Sequence, residues 1–287
     1  MTWIVATFYK FVPLDHLPQL RQDLLAESQR WGLCGTILIA QEGINATLAG
    51  FRQGVDHLLA WLQDHPAIGP LTVQESMAAS APFGQMKVKI KPEIVTLGRP
   101  DLNPKHRAGI YVDPPDWNAL IQDPAVVLID ARNDFEVDIG TFQGAINPHT
   151  RSFRELPEYL DQQLDPAQHR KVAMFCTGGI RCEKATAYLR QRGFDQVYHL
   201  RGGILNYLKH TAANDSLWQG DCFVFDHRVA VDHHLQPQDY VLCGGCGYPL
   251  TPQDQVSPQY QPGMACPHCA PTDAAPQDSG FDGPRAN

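Results

Sequence analysis

The 287-residue chain contains no run of 18 apolar residues, which excludes a membrane-spanning helix. Its start, MTWIVATFYKFVPL, carries no basic leader, and Lys10 interrupts the apolar run. It is therefore expected to form a first strand and not a secretory signal. No internal repeat is visible, and there is no flavin, haem, nicotinamide or His/carboxylate iron motif. Positive charge is in short supply: 23 Lys and Arg against 31 Asp and Glu leave a net charge of −8. That argues against whole-surface affinity for nucleic acid while leaving room for a local basic patch. The imbalance is concentrated, with ten basic and nine acidic residues up to position 110 and 13 against 22 beyond it. The expected compartment is the cytoplasm, with no membrane association and no obligatory protein partner. In that reducing setting eight cysteines are expected to be metal ligands, nucleophiles or core residues, not disulfides.

What is present is ordinary globular material, 43% hydrophobic and 19% charged, enough for two domains and an accessory piece. Residues 1–98 show strand candidates at Ile4–Lys10, Gly35–Ala40 and Ile44–Ala49, with the turn Gln41-Glu42-Gly43 between the last two. Helices are expected at Leu17–Trp31 and Val55–Gln63, where apolar residues recur at helical spacing, and further strands at Leu71–Glu75 and Met86–Thr96. The order β-α-β-β-α-β suggests a ferredoxin- or acylphosphatase-like α+β domain. Residues 99–117 are Pro-rich and aperiodic and are expected to be a linker. From 118 to 212 unalternating apolar runs, Val126–Asp130 and Val172–Cys176, alternate with helix candidates Glu183–Gly193 and Ile204–His210. Such strands fit a parallel sheet covered on both faces. Residues 216–241 lead into a cysteine-rich stretch within 213–270, and a Pro/Asp/Ser/Gly tail at 271–287 is expected to be disordered.

The segment Cys176-Thr177-Gly178-Gly179-Ile180-Arg181-Cys182 joins a buried strand to a helix. Paired glycines let the chain turn so tightly that successive N–H groups converge on one point. The helix start and Arg181 add positive charge, so a cysteine there should have its thiolate favoured. Cys176 and Arg181 are the candidate catalytic residues, and Thr177, Gly178, Gly179, Ile180 and Cys182 complete the loop. The competing view makes Cys176 a small hydrophobe ending a strand. Cys182 is either a resolving thiol or a small residue in the first helical turn. Cys34 and Cys222 are expected in the core.

Cys243-Gly-Gly-Cys246 and Cys266-Pro-His-Cys269 are two CxxC pairs separated by 19 residues. Two such knuckles close a tetrahedral four-sulfur site, which leaves no open position and is therefore structural zinc in character. Iron–sulfur ligation is the alternative, and His268 is a bystander within the knuckle. Met86-Lys87-Val88-Lys89-Ile90-Lys91 alternates, placing Lys87, Lys89 and Lys91 on one face and Val88 and Ile90 on the other. Three ammonium groups about 6–7 Å apart suit a phosphate backbone, or equally a soluble sheet edge. Lys105, Arg107, Arg151 and Arg154, with His106, are candidate extensions of the patch.

Several short segments together resemble the rhodanese family. They are Asp130-Ala131-Arg132, Gly140-Thr141-Phe142-Gln143-Gly144-Ala145-Ile146-Asn147, Cys176-x-x-Gly179-x-Arg181, Gly193-Phe194 and Leu200-Arg201-Gly202-Gly203-Ile204. Thr141 stands where that family usually has His. Four residues separate Cys176 from Arg181, one fewer than in the related cysteine phosphatases, so the tighter loop implies thiolate or sulfur chemistry and not phosphate transfer. With GTILIAQEGINATLAG and KVKIKPEIVTLG before it and the cysteine-rich end after it, the chain is similar to the rhodanese-domain tRNA uridine 5-hydroxylases (TrhO). That resemblance implies a tRNA anticodon loop as partner. It also implies molecular oxygen as co-substrate and conversion of wobble uridine 34 to 5-hydroxyuridine. Ordinary rhodanese chemistry implies the alternative, a thiosulfate-type sulfurtransferase carrying a Cys176 persulfide. A non-catalytic RNA-binding or zinc scaffold is the third class.

Overall fold

The computed structural model describes residues 2–102 and 104–270; the tail expected to be disordered lies outside them. The N-terminal domain runs β1 (Trp3–Phe11), α1 (Leu17–Arg30), β2 (Cys34–Ala40), β3 (Gly43–Gly50), α2 (Arg52–Asp64), β4 (Val73–Ala78) and β5 (Met86–Ile90). The sheet order is β4-β1-β3-β2-β5. The first four strands are antiparallel neighbours, as a ferredoxin- or acylphosphatase-like unit requires, and β5 adds a fifth strand parallel to β2. The strand expected over 86–96 ends at Ile90, just before Pro92, which cannot extend a ladder.

Period-two alternation divides this sheet into two faces. Ile4, Ala6 and Phe8 on β1, Ile37 and Ile39 on β2, and Ile44, Ala46 and Leu48 on β3 join Leu20, Leu24, Val55, Leu58 and Leu62 of the helices in one buried cluster. The opposite face carries Thr7 and Tyr9, Asn45 and Thr47, and Gln74 and Ser76, and no helix of this domain covers it. The parallel register, Thr36 to Lys87 and Leu38 to Lys89, puts the lysines on that same open face. Val88 points into the core at 4% exposure. Ile90, on the same face as Val88, is 42% exposed, because the edge strand ends there with no strand beyond it.

The second domain holds α3 (Pro104–Arg107), β6 (Ile110–Val112), α4 (Pro114–Ile121), β7 (Val126–Asp130), α5 (Asp134–Val137), β8 (Gly140–Phe142), α6 (Leu156–Gln163), β9 (Lys171–Phe175), α7 (Ile180–Gln191), β10 (Gln196–Leu200) and α8 (Gly203–His210). Strands β6-β10-β9-β7 make one all-parallel sheet. The stretch expected to be a linker, 99–117, therefore contains the sheet's edge strand β6 and the fully buried Trp117. A three-residue strand between prolines has no periodicity of its own and is fixed by its partner β10.

The segment 216–241 is likewise not a free connection. It forms β11 (Trp218–Gly220), paired with β8, and the hairpin β12 (Cys222–Phe223) and β13 (Ala230–Val231). Trp218 sits 5.2 Å edge-on to Phe142 in the second domain's core. The chain closes with β14 (Val241–Leu242), β15 (Pro249–Leu250) and α9 (Pro252–Gln255) around the four cysteines. Among the described residues no helix is long and apolar enough to cross a membrane.

Candidate active site and metal centre

Cys176 follows directly on β9, and α7 begins at Ile180, three residues earlier than its apolar pattern suggests. The loop between them therefore turns straight into a helix N-terminus. Gly179 takes φ 97°, and its N–H lies 3.1 Å from the Cys176 Sγ. The 200–204 segment supports the loop from below. Ile204 and Leu205 donate their amides to the carbonyls of Cys176 and Thr177 at 3.0 and 3.1 Å. A Cβ on Gly203 would stand 2.4 Å from the Cys176 carbonyl oxygen, so a side chain at 203 would push this support away.

Cys176 is only 1% exposed. Burial alone would raise its pKa, but four groups oppose that effect: a hydrogen bond from the Cys182 thiol, the Arg181 charge, and the amides of Cys182 and Arg181. The net result is a fall from 9.0 to about 6. Cys182 pays the reciprocal consequence, since burial and the neighbouring thiolate both hold its own thiol protonated. The cradle thus keeps one sulfur anionic and the other as a donor to it.

Arg181 does not point its fork at an open site. Its Nη1 and Nη2 donate to Glu136 Oε2 and Oε1 at 2.5 and 2.7 Å, both residues being buried. Thr177 Oγ1 adds a third bond to Glu136 at 3.2 Å, and the Asn133 amide a fourth at 3.1 Å. Burial opposes ionisation of Glu136, yet the charges of Arg181 and Arg132 and these bonds hold its carboxyl below the usual range. The Asp130–Arg132 pair behind it is fully buried, at 2.8 and 2.6 Å, and Arg132 also donates to the carbonyls of Glu136 and Gly140. Thr141 donates to Asp130 at 2.9 Å. These residues fix the arginine that fixes the thiolate.

The open face of the N-terminal sheet closes over this loop. Tyr9 Oη donates to Glu183 Oε1 at 2.9 Å, and Tyr111 Oη reaches the same oxygen at 2.5 Å. Burial and the nearby Cys176 raise the Glu183 pKa against those two bonds. Gln74 donates to the Gly202 carbonyl at 2.6 Å. Lys184, buried on α7, bridges Glu93 at 2.6 Å and Glu42 of the β2–β3 turn at 2.8 Å. Sequence inspection singled out none of Tyr9, Gln74, Glu136, Glu183 or Lys184. Only Glu136 had a local signal, as the acidic residue three positions after Asn133 at a helix start.

The candidate RNA-binding residues lie on three separate segments. Lys87 and Lys89 are on β5 with Lys91 just after it, Lys105 and Arg107 are on α3, and Arg151 and Arg154 precede α6. All but the half-buried Lys87 are exposed. Cys34 and Cys222 are buried, at 7% and 0% exposure.

The four knuckle sulfurs of Cys243, Cys246, Cys266 and Cys269 lie within 4.8 Å of one another. Cys243–Cys269, Cys246–Cys266 and Cys266–Cys269 are 3.8, 3.7 and 3.7 Å apart. Ligands about 2.3 Å from zinc at tetrahedral corners stand about 3.8 Å apart, so the residues fit a zinc ion and are too distant for disulfides. The knuckles approach so closely that a Cβ on Gly245 would lie 2.0 Å from the Met264 carbonyl oxygen. His268 stacks on Tyr248 at 3.8 Å, outside the sulfur set.

A parallel sheet ending in a thiolate cradle, under an acylphosphatase-like lid, defines a two-domain rhodanese-type protein. The model of the UPF0176 acylphosphatase-like domain matches residues 3–94, and that of the rhodanese-like domain matches residues 113–210. Together the two domains make the UPF0176 (TrhO) architecture. Among solved structures, a rhodanese-related protein from Thermoplasma volcanium is 26% identical over 35% of this chain and 91% of its own, with a TM-score of 0.30. The rhodanese-like domain of an Anabaena protein is 20% identical over 38% and 78%, with a TM-score of 0.32. An acylphosphatase from Coxiella burnetii is 13% identical over 31% and 93%, with a TM-score of 0.26.

Proposed function

We propose that this protein is a tRNA-modifying enzyme that hydroxylates wobble uridine 34 to 5-hydroxyuridine with molecular oxygen, using Cys176 as nucleophile. The observation that carries the proposal is the geometry around the buried Cys176 sulfur, where the Cys182 thiol, the Arg181 charge and the loop amides converge and favour the thiolate. The UPF0176 (TrhO) domain architecture supports an RNA substrate. So do the lysines of β5, which lie on the sheet face that bears Tyr9 and Gln74.

Uracil C6 is electrophilic. The Cys176 thiolate adds there and makes C5 an enolate-like carbon, which takes one oxygen atom from O2. The second oxygen atom leaves as water, with two electrons and two protons from a thiol-class reductant. Loss of the C5 proton and departure of the Cys176 thiolate from C6 restore the ring. Arg181 and the loop amides hold the sulfur anionic before attack and after release. Glu183, between two phenols beside the loop, is a proton-handling group close to this chemistry. A wobble uridine sits in a single-stranded loop, so its base is free to splay into the seam once Tyr9 yields. Cys243, Cys246, Cys266 and Cys269 would hold zinc, which supplies structural cross-linking of the C-terminal segment.

The test is the purified protein with tRNA, oxygen and a thiol reductant, read as 5-hydroxyuridine by nucleoside mass spectrometry. Cys176→Ser is expected to abolish product and to retain tRNA binding; product undiminished in that variant overturns the assignment. The cellular counterpart is digested bulk tRNA with and without the gene. Loss of a thiolated nucleoside in place of 5-hydroxyuridine would support sulfur transfer through a Cys176 persulfide, and no nucleoside change a scaffold.

A further inference from the structure

Beyond the thiolate cradle, the turn between β12 and β13 holds a large aromatic side chain in the open. Phe225 is 49% exposed, although its neighbours Phe223 and Val224 are buried at 0% and 5%. Single exposed apolar side chains are common and need no function. The turn that carries this one is fixed at several points. Asp226 and Arg228 fork onto each other at 2.8 and 2.6 Å, and Arg228 Nη1 reaches Ser76 on β4 at 2.9 Å. The His227 amide donates to the Pro82 carbonyl at 2.9 Å. Val229 completes the turn at φ 60°, a left-handed conformation that β-branched residues rarely adopt. Strain of this kind persists where surrounding contacts over-determine it, and it gathers at functional sites.

The turn is also aimed at the site. The Phe225 ring lies 5.9 Å from the Arg181 Cζ, and Phe223 braces it edge-on at 5.0 Å. Arg181 in turn is one of the charges that act on Cys176. An exposed ring braced edge-on by Phe223, with Arg181 between it and the Cys176 sulfur, suits a planar, π-faced ligand. We propose that Phe225 is the stacking platform for a nucleobase next to the reacting uridine, so that the C-terminal segment forms part of the RNA-binding site. The inference rests on the tRNA reading above. A neighbouring base fits better than the target base itself, because Arg181 adjoins both the sulfur and the ring.

Stacking and phosphate contacts leave different marks. Truncating a stacking aromatic weakens binding about 5- to 150-fold per base, with the salt dependence unchanged because no counterion is released. The experiment measures the affinity of an anticodon stem-loop RNA with wobble uridine, over a range of salt, for wild type, Phe225→Ala and Phe225→Trp. It is repeated with RNAs made abasic at either nucleotide flanking that uridine. The expected result is a loss within that range for Phe225→Ala at constant salt slope, with binding restored by Phe225→Trp. One abasic position should weaken wild type by the same factor and Phe225→Ala no further, the non-additivity expected of touching partners. Abasic penalties equal in wild type and Phe225→Ala at both positions overturn the assignment, as does undiminished binding by Phe225→Ala. Wild-type protein that ignores the stem-loop at every salt concentration overturns the tRNA reading and this inference together.

Discussion

Replacing Cys182 by alanine should move the ionisation of Cys176 upward, and the size of the move follows from the cradle. Burial raises the Cys176 pKa, and the first opposing group is the Cys182 thiol, ahead of Arg181 and the amides. A hydrogen bond to a charged group is worth about 1.5–3 kcal/mol, which at 1.36 kcal/mol per tenfold step raises the pKa by about one to two. The midpoint should therefore shift from about 6 in wild type to about 7–8 in Cys182→Ala. At pH 7 that takes the thiolate from about nine-tenths of the population to between a half and a tenth. Cys182→Ser keeps a donor and should stay near the wild-type value. The assay is the rate of alkylation at Cys176 against pH, located by peptide mass spectrometry so that the other seven cysteines do not contribute. The linkage runs in one direction. Because the folded-state pKa is depressed, the stability it contributes is present above pH 9 and is lost as the pH falls toward 6. In Cys182→Ala that window narrows from its lower end. A wild-type midpoint near 9 refutes the cradle as the source of a thiolate, and one unmoved in Cys182→Ala refutes the Cys182 thiol as its leading donor.

Arg181→Met strands a buried carboxylate on Glu136 and should destabilise the fold by about 3–5 kcal/mol in urea titrations, much of it recovered in Arg181→Met/Glu136→Gln. The wild-type pair is itself expected to hold until the pH drops below the usual carboxylate range, because Arg181 keeps the Glu136 pKa low. Charge reversal at Lys87, Lys89 and Lys91 should weaken RNA binding and reduce its salt slope by about two to three, roughly 0.7–0.9 per lost phosphate contact; an unchanged slope removes β5 from the interface. Metal analysis should find one zinc per chain. Chelation, or Cys266→Ser, should make the 241–269 segment sensitive to protease, because metal binding there is folding free energy on the order of 10 kcal/mol.

Much of the site was legible along the chain because its parts are local. A cysteine, two glycines and an arginine within seven residues already specify a strand-to-helix turn with converging amides, and paired CxxC knuckles already specify a four-sulfur site. The long elements were equally plain, since β2, β7 and α1 announce themselves by alternation, by unbroken apolar residues or by helical spacing. Short elements whose stability comes from a partner were not. β6 exists because β10 offers it a ladder, and β11 because β8 does, so neither has a pattern of its own. Alternation put Ile90 on the face of Val88, but it gives a face and not what covers it, and Ile90 is 42% exposed.

The sequence by itself marked the candidate nucleophile, the four-cysteine cluster and the two domain types, all of them properties of residues close together in the chain. Only the tertiary structure decided what surrounds the sulfur. Glu136 meets Arg181 across 45 positions, and Tyr9 meets Glu183 across 174. Ser76 anchors the turn that holds Phe225 from 152 positions away. Electrostatics and hydrogen bonding act through space at distances of a few ångströms, and no local pattern records which distant side chain will be brought that near.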